Sequence, residues 1–152
     1  MIVKTMLEKI PRKVITALPS TTVHDAMGSL IEHKVSCLPV VDEDGLLIGI
    51  ISDKDIFKKI YEAEGNYENL TLADLMVTDV IIGQPDDEIS YIAGLMKNNW
   101  IRHVPIVEGR TLLGLVSQRD IVLTQAESTA VENRYLKLYT EGMSGRDKSG
   151  DI

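Results

Sequence analysis

Two copies of one short motif contain the residues of this chain that are best suited to bind a polar ligand. In each copy a serine follows a glycine by three residues, and an aspartate follows the serine by three. The copies are Gly49, Ser52 and Asp55, and Gly114, Ser117 and Asp120. An aspartate at a helix start can accept hydrogen bonds from ribose hydroxyls, while helix amides and a serine hydroxyl can bind phosphate.

A single copy of this motif also has a purely structural interpretation. A serine at the N-cap and an acid at the N3 position satisfy helix amides and complement the helix dipole without any ligand. The motif recurs, however, and each copy follows an apolar strand. Because helix starts at the carboxyl ends of strands are suited to polar ligands, the repetition favours two homologous binding sites.

Other kinds of site are poorly represented. His24, His33 and His103 lack cysteine or acidic partners at the spacing of metal ligands, so we expect no metal site. Cys37 is the only cysteine, which excludes an intrachain disulfide, and its apolar neighbours favour a small buried side chain over a nucleophile. There is no nucleophile elbow, P-loop or paired-carboxylate signature. We therefore predict that the protein is not an enzyme.

Composition narrows the classes of partner. The chain has 152 residues, of which 44% are hydrophobic and 26% charged, as is typical of soluble globular proteins. Its formal net charge of −7 argues against nucleic acid as a partner, because sequence-independent binding to phosphate backbones needs clustered basic residues. No apolar run approaches the roughly 20 residues of a spanning helix, and the N-terminus does not resemble a signal peptide. We expect a cytoplasmic protein that binds neither nucleic acid nor membrane.

The whole pattern around the motif is duplicated. Pro39 and Pro105 lie 66 residues apart within matching apolar runs, and Gly49 and Gly114 lie 65 residues apart. A shared core pattern with a one-residue difference in the turn indicates duplication. The period is too long for a solenoid unit of roughly 20 to 50 residues. Two half-domains related by an internal pseudo-twofold axis are the better interpretation.

Each repeat is predicted to run strand, helix, strand, strand, helix. In the first repeat the strands are expected at residues 14–16, 38–41 and 46–51, and the helices after Thr22 and Ser52. Thr22 is followed three residues later by an aspartate, which is typical of a capped helix start. The second repeat has the same order, and its first strand is expected at 80–82.

Three further features concern packing between these elements. Short helices at residues 3–7 and 71–76 would lead the chain into the first strand of each repeat. Gly28 and Gly94 recur in the middle of the first helix of each repeat, where glycine is unfavourable, so we expect close helix packing there. Trp100 precedes a strand, and it either shields a cleft or an interface or packs in the core.

These repeats resemble a tandem CBS-domain protein, or Bateman module. The likeness covers residues 3–123 and rests on Pro39-Val40-Val41, Gly49-Ile50-Ile51-Ser52 and Asp55 with their second copies. It implies an α/β (α+β) fold of two β-α-β-β-α repeats packed about a pseudo-twofold axis. The predicted divisions are a first repeat with its lead-in helix at 1–66, a second with its lead-in helix at 67–125, a C-terminal helix extension at 126–141 and a flexible tail at 142–152.

The resemblance also implies a function. Such modules bind adenosine-containing ligands such as AMP, ADP or ATP and act as regulatory sensors, with no required cofactor. A homodimer and a protein effector in trans are further implications. By the likeness, Asp55 and Asp120 would hold ribose, Ser52 and Ser117 would lie beside sugar or phosphate, and Thr16 and Ile82 would border the base. The full set of candidate binding residues is Thr16, Cys37, Pro39, Ser52, Lys54, Asp55, Ile82, Arg102, His103, Pro105, Ser117, Arg119 and Asp120.

The two predicted sites differ in charge. The second half contains Arg102, His103 and Arg119 near its motif, whereas the first half has Cys37 and Lys54 at related positions. We therefore predict that the second site binds a phosphorylated nucleotide more tightly, and that the first is weak or accepts an uncharged adenosine group. The alternative for each arginine is a solvated surface charge.

Several alternatives to an adenine-nucleotide sensor are open. The chain could be a structural interaction module whose clefts hold no physiological nucleotide. It could also sense NADH or S-adenosylmethionine. A nucleotide hydrolase is the alternative from the enzyme class, but the sequence offers no evident base, nucleophile or metal site.

Overall fold

The computed structural model describes residues 1–126. The chain divides into two compact units: residues 1–118, and residues 119–152, of which 119–126 are described. The predicted helix extension beyond residue 126 and the tail at 142–152 lie outside the described residues. The helices are α1 Val3–Lys9, α2 Val23–His33, α3 Asp53–Glu62, α4 Leu72–Leu75, α5 Ile89–Asn99 and α6 Gln118–Ala126. The strands are β1 Cys37–Val41, β2 Leu47–Ser52, β3 His103–Glu108 and β4 Thr111–Ser117.

Two antiparallel hairpins confirm the predicted mixed fold and its duplication. β1 pairs with β2, and β3 pairs with β4, each as a two-stranded sheet. The register shifts at the same place in both hairpins, between Val40 and Val41 in the first and between Ile106 and Val107 in the second. A bulge repeated at equivalent positions means that both copies keep one backbone pattern, and not only one hydrophobic pattern.

The first strand of each repeat is shorter than predicted. Residues 14–16 are not in a strand; instead Ala17 forms an isolated parallel bridge with Val40, and the second repeat has the matching bridge from Gly83 to Ile106. The carbonyl of Pro39 accepts a hydrogen bond from Ala17 N–H at 3.0 Å, but proline has no N–H to extend the ladder. The prediction of strands at 14–16 and 80–82 was therefore wrong in position and extent.

The first helix of the first repeat begins as predicted. The Thr22 hydroxyl oxygen accepts a hydrogen bond from the Asp25 N–H at 3.1 Å, which caps α2. The buried face of α2 consists of Val23, Ala26 and Leu30. These side chains lie at helical spacing, so the apolar face points into the core of the first repeat.

The prediction of close helix packing at Gly28 and Gly94 was wrong, and one of the two alternatives for Trp100 is excluded. A Cβ atom added to Gly28 or Gly94 would meet no atom of residues 1–126 within 4 Å, so no described helix packs closely against either glycine. Trp100 is 95% exposed and does not pack in the core. It occupies the left-handed C-cap position of α5, with φ of 56°, and Lys34 occupies the equivalent position after α2 with φ of 54°. The tryptophan therefore ends α5, and its side chain lies in solvent.

The two lead-in helices pack on opposite repeats. The N–H of Val3, at the start of α1, donates to the carbonyl of Asp87 at 2.9 Å. The N–H of Leu72, at the start of α4, donates to the carbonyl of Thr21 at the same distance. Leu72 is fully buried in the core of the first repeat, together with residues of α2, β1, β2 and α3. Each repeat is thus completed by the lead-in of the other, which ties both hairpins into one compact unit.

An isolated bridge marks the pseudo-twofold axis. Leu46 pairs antiparallel with Thr111, and these two residues are 65 positions apart, as Gly49 and Gly114 are. Two equivalent residues of a duplicated unit can pair with each other only where the symmetry axis passes between them. The N–H of Leu47 also donates to the carbonyl of Arg110 at 2.9 Å beside this bridge.

Candidate functional site

The first motif forms a capping box at the start of α3. Asp55 Oδ2 accepts hydrogen bonds from both the N–H and the hydroxyl of Ser52, each at 2.9 Å. The Ser52 hydroxyl oxygen in turn accepts from the Asp55 N–H at 3.2 Å. Within residues 1–126, Asp55 Oδ1 accepts no hydrogen bond. The half-buried carboxylate is therefore held by one oxygen while the other is available to a ligand.

The same capping box without the glycine occurs at α4. Asp74 Oδ2 accepts from the Thr71 N–H at 2.9 Å and from the Thr71 hydroxyl at 3.3 Å. The structural interpretation of a serine or threonine followed by an aspartate thus holds at both helix starts. Position after a buried strand, and not the cap itself, distinguishes Ser52 and Asp55 as a candidate site.

Packing explains the glycine of each motif. A Cβ at Gly49 would lie 2.6 Å from Met76 Sδ and 3.2 Å from the Val77 carbonyl oxygen. A Cβ at Gly114 would lie 2.9 Å from a Leu7 methyl carbon. Gly49 leaves room for Met76, which follows lead-in helix α4, and Gly114 leaves room for Leu7 of lead-in helix α1. The two glycines therefore help to position the site without needing to touch a ligand.

Two contacts join the repeats beside the first motif. Arg102 Nη2 lies 3.4 Å from Asp53 Oδ1, and the Ser36 hydroxyl lies 3.4 Å from His103 Nε2. Arg102 and His103 belong to the second repeat, whereas Asp53 and Ser36 belong to the first. The structure thus brings the predicted second-site cation and imidazole to residues of the first repeat.

Backbone hydrogen bonds hold this junction on both sides. The Asp53 N–H donates to the Ser36 carbonyl at 2.9 Å, and the Gln118 N–H donates to the Arg102 carbonyl at 2.8 Å. Because Arg102 is 66 residues after Ser36 and Gln118 is 65 after Asp53, the two bonds are equivalents in the two repeats. Each fixes the residue before a strand against the start of the following helix.

Cys37 lies beneath this junction as a buried thiol. The pKa of the Cys37 thiol is raised to about 12. Burial is the main cause, the negative charges of Asp55 and Asp53 also raise the pKa, and the positive charge of Arg102 lowers it. A thiol with this pKa is protonated at neutral pH and is a poor nucleophile. The predicted small buried side chain is what the structure shows.

The other predicted site residues are placed as follows. Pro39 and Pro105 are buried, and their carbonyls accept hydrogen bonds from Ala17 and Gly83 respectively. In the first unit, Thr16 and Lys54 are exposed, Ile82 is 39% exposed, and half-buried Ser117 pairs in register with His103. In the second unit, Arg119 is exposed and Asp120, in the first turn of α6, is 5% exposed.

Asp53 and Ser36 were not predicted as site residues. A residue-by-residue comparison of the copies contains the signal for Asp53, because the equivalent residue of the second copy is Gln118. Asp53 therefore adds a negative charge that the second helix start does not have. Ser36 gives no such signal, since only its position next to His103 in space identifies it.

Within residues 1–126, no group of three or more histidine, cysteine, aspartate or glutamate side chains could hold a metal ion. Over the same part of the chain, no helix is long and apolar enough to cross a membrane.

Comparison with known proteins gives consistent matches. The CBS domain model matches residues 7–62 and 72–127. The chain is 31% identical over 113 residues to the CBS domain-containing protein YhcV of Bacillus subtilis, which covers 74% of this chain and 79% of YhcV. Other curated relatives are longer: the chain spans 22% of inosine-5'-monophosphate dehydrogenase from Mycobacterium tuberculosis.

Two similar solved structures contain adenosyl molecules. The CBS domain pair of protein MJ0100, in complex with 5'-methylthioadenosine and S-adenosyl-L-methionine, is 31% identical with a TM-score of 0.75. That match covers 85% of this chain and 98% of that one. CBSX2 in complex with AMP is 26% identical with a TM-score of 0.66, and the match covers 76% of this chain and 89% of CBSX2.

Proposed function

This chain belongs to the CBS-domain family, and on that premise we propose that it is a regulatory module that binds an adenosyl ligand and has no catalytic activity of its own. Ligand binding would change the conformation or association of the module. Such a response requires that the ligand bind one state more tightly than another, since equal binding shifts no equilibrium.

The observation that carries this proposal is the state of Asp55. Ser52 holds one carboxylate oxygen of Asp55 at 2.9 Å, and within residues 1–126 the other oxygen has no donor. A fixed carboxylate with one free oxygen can accept hydrogen bonds from the two adjacent hydroxyls of a ribose. The relatives with bound ligands, MJ0100 and CBSX2, support an adenosyl compound because each ligand named for them contains adenosine.

The remaining site residues are assigned by the same proposal. Thr16 precedes the bridge residue Ala17 and is exposed, so it can border a base next to the first motif. Ile82 precedes Gly83 in the same way in the second repeat. By sequence equivalence with Ser52 and Asp55, Ser117 and Asp120 would serve a second site, with Arg119 as a cation for phosphate.

Paired aspartate variants test the proposal. Asp55→Ala and Asp74→Ala each remove the carboxylate of a capping box, so each should cost about 0.5–2 kcal/mol of stability. Only Asp55→Ala should also weaken ligand binding, by about tenfold or more, because a hydrogen bond to a charged group is lost. Calorimetric titration with adenosine, 5'-methylthioadenosine, S-adenosylmethionine, NADH, AMP and ATP measures the affinity.

The alternative is a structural interaction module, and the same titrations distinguish it. If none of these compounds binds or raises the thermal midpoint of the wild-type protein, the adenosyl proposal is wrong and the interaction module is favoured. Equal losses of affinity in Asp55→Ala and Asp74→Ala would mean that the effect comes from stability, which would contradict the assignment of Asp55.

We also propose that the output passes through a homodimer and a protein effector in trans. Phe57 and Tyr61 lie one turn apart on α3 and are 77% and 81% exposed, and Ile31 on α2 is also exposed. Exposed apolar side chains of this size favour association with a second apolar face. Sedimentation velocity should show a dimer for the wild type and a monomer for Phe57→Glu, with Asn69→Glu, at an exposed neutral residue outside α3, as a control for the added charge.

A further inference from the structure

The helix amides at the first motif are already occupied. The Asp53 N–H donates to the Ser36 carbonyl at 2.9 Å, the Lys54 N–H to Asp53 Oδ1 at 2.7 Å, and the Asp55 N–H to the Ser52 hydroxyl oxygen at 3.2 Å. The Ser52 hydroxyl proton is directed to Asp55 Oδ2. A phosphate at this helix start would therefore have to displace existing hydrogen bonds before it could form its own.

The charge at the start of α3 also disfavours phosphate binding. Two carboxylates, Asp53 and Asp55, lie in the first turn of α3. They complement the helix dipole, and the same negative charge repels a phosphate dianion. The second copy has neutral Gln118 in place of Asp53, so this additional carboxylate is specific to the first repeat.

Lys54 and Arg102 are cations that could offset this repulsion, and Asp53 engages Arg102. The pair spans 3.4 Å, and its side chains are 58% and 54% exposed. An exposed ion pair of this kind contributes little to stability, so Arg102 can exchange partners readily when Asp53 loses its charge. Asp53 thus adds a repulsive charge and also holds Arg102, a cation from the other repeat.

From these contacts we infer that Asp53 is a specificity-determining residue of the first-repeat site, selecting an adenosyl ligand without phosphate over a phosphorylated nucleotide. The inference rests on the proposed function, because it assumes that the first motif binds an adenosyl group. The expected ligand carries an uncharged or cationic group at the 5' position, where a nucleotide carries phosphate. A thioether or a sulfonium compound of adenosine has such a group. In the wild type, Arg102 is paired with Asp53. When the Asp53 carboxylate is neutralised, Arg102 becomes available to bind phosphate.

Charge-neutral variants of the full chain test this inference. Asp53→Asn keeps a side-chain oxygen for the Lys54 N–H but removes the charge, so it should raise AMP affinity about tenfold relative to 5'-methylthioadenosine. Adding Arg102→Gln to Asp53→Asn should reduce that gain but not abolish it, because the repulsion by Asp53 is still removed. Asp25→Asn, also in the first turn of a helix, is the control for net charge and should change neither affinity. Calorimetric titration with AMP and 5'-methylthioadenosine, each alone, provides both affinities.

The site of any gain must also be identified. Because the second repeat has its own motif, the titration is repeated with Asp55→Ala added to Asp53→Asn, and the gain in AMP affinity should disappear. An unchanged ratio of affinities in Asp53→Asn, or an equal change in Asp25→Asn, would overturn the role of Asp53. If the wild type binds another adenosyl compound but neither protein binds AMP or 5'-methylthioadenosine, this inference alone is overturned. If no adenosyl compound binds either protein, the proposed function itself fails and this inference falls with it.

Discussion

The N–H of Leu72 donates to the carbonyl of Thr21 at 2.9 Å, which fixes the lead-in of the second repeat onto the first repeat. The equivalent bond from Val3 to Asp87 fixes the N-terminal helix onto the second repeat. Neither repeat therefore has a complete core without residues that precede the other. The stability of one repeat should therefore depend on side chains outside its own sequence.

Leu72→Ala should destabilise the whole first unit. Leu72 is fully buried in the core of the first repeat, so truncation leaves a cavity and should lower the free energy of unfolding by about 2–5 kcal/mol. Leu113→Ala, at a residue that is 45% exposed, is the control and should cost less than about 1.5 kcal/mol. Urea unfolding followed by circular dichroism measures both values, and similar costs would contradict the exchange of lead-in helices.

Glycine substitutions should have opposite effects at two kinds of position. Gly94→Ala should stabilise the protein by about 0.4–1 kcal/mol, because the methyl group lies within a helix and meets no atom of the described residues, and because the unfolded chain loses conformational freedom. Gly49→Ala should destabilise it by about 1–3 kcal/mol, because the methyl group would press on Met76 and the Val77 carbonyl. Thermal unfolding compares them. A loss of stability in Gly94→Ala would contradict this prediction.

The Cys37 thiol should make stability depend on alkaline pH. Burial raises its pKa to about 12, whereas an unfolded cysteine ionises near about 8.5. Between these values the unfolded chain has released a proton that the folded chain keeps, so this group's contribution to the free energy of unfolding falls as pH rises. The stability of wild type relative to Cys37→Ala should therefore decrease between about pH 9 and 11. Urea titrations of both proteins at each pH measure the difference, and a constant difference would contradict the raised pKa.

The ion pair between Arg102 and Asp53 should contribute little to stability. Both side chains are more than half exposed, so a double-mutant cycle with Arg102→Gln and Asp53→Asn should give a coupling energy below about 1 kcal/mol. The coupling should decrease further in 1 M NaCl, where the screening length is about 3 Å. A coupling above about 2 kcal/mol that salt does not reduce would mean a desolvated pair, and the exchange of Arg102 between partners would then be unfavourable.

Local features were predictable because they depend on neighbours in sequence. The cap of α2 needs only Thr22 and Asp25, and the capping box of α3 needs only Ser52 and Asp55. The hairpins follow from apolar runs separated by short turns. The first strands were predicted less well, because their pairing depends on a distant segment that contains Pro39, whose missing N–H limits the ladder.

The sequence by itself determined the duplicated fold and the two serine-aspartate helix starts, since periodicity and hydrogen bonds over three residues are local properties. Only the tertiary structure decided that the lead-in helices exchange and that Arg102 and His103 meet Asp53 and Ser36, which lie 49 and 67 positions away in the chain. Those contacts depend on where the pseudo-twofold axis brings the repeats together. Composition and spacing do not specify the position of that axis, because packing of both cores at once selects it.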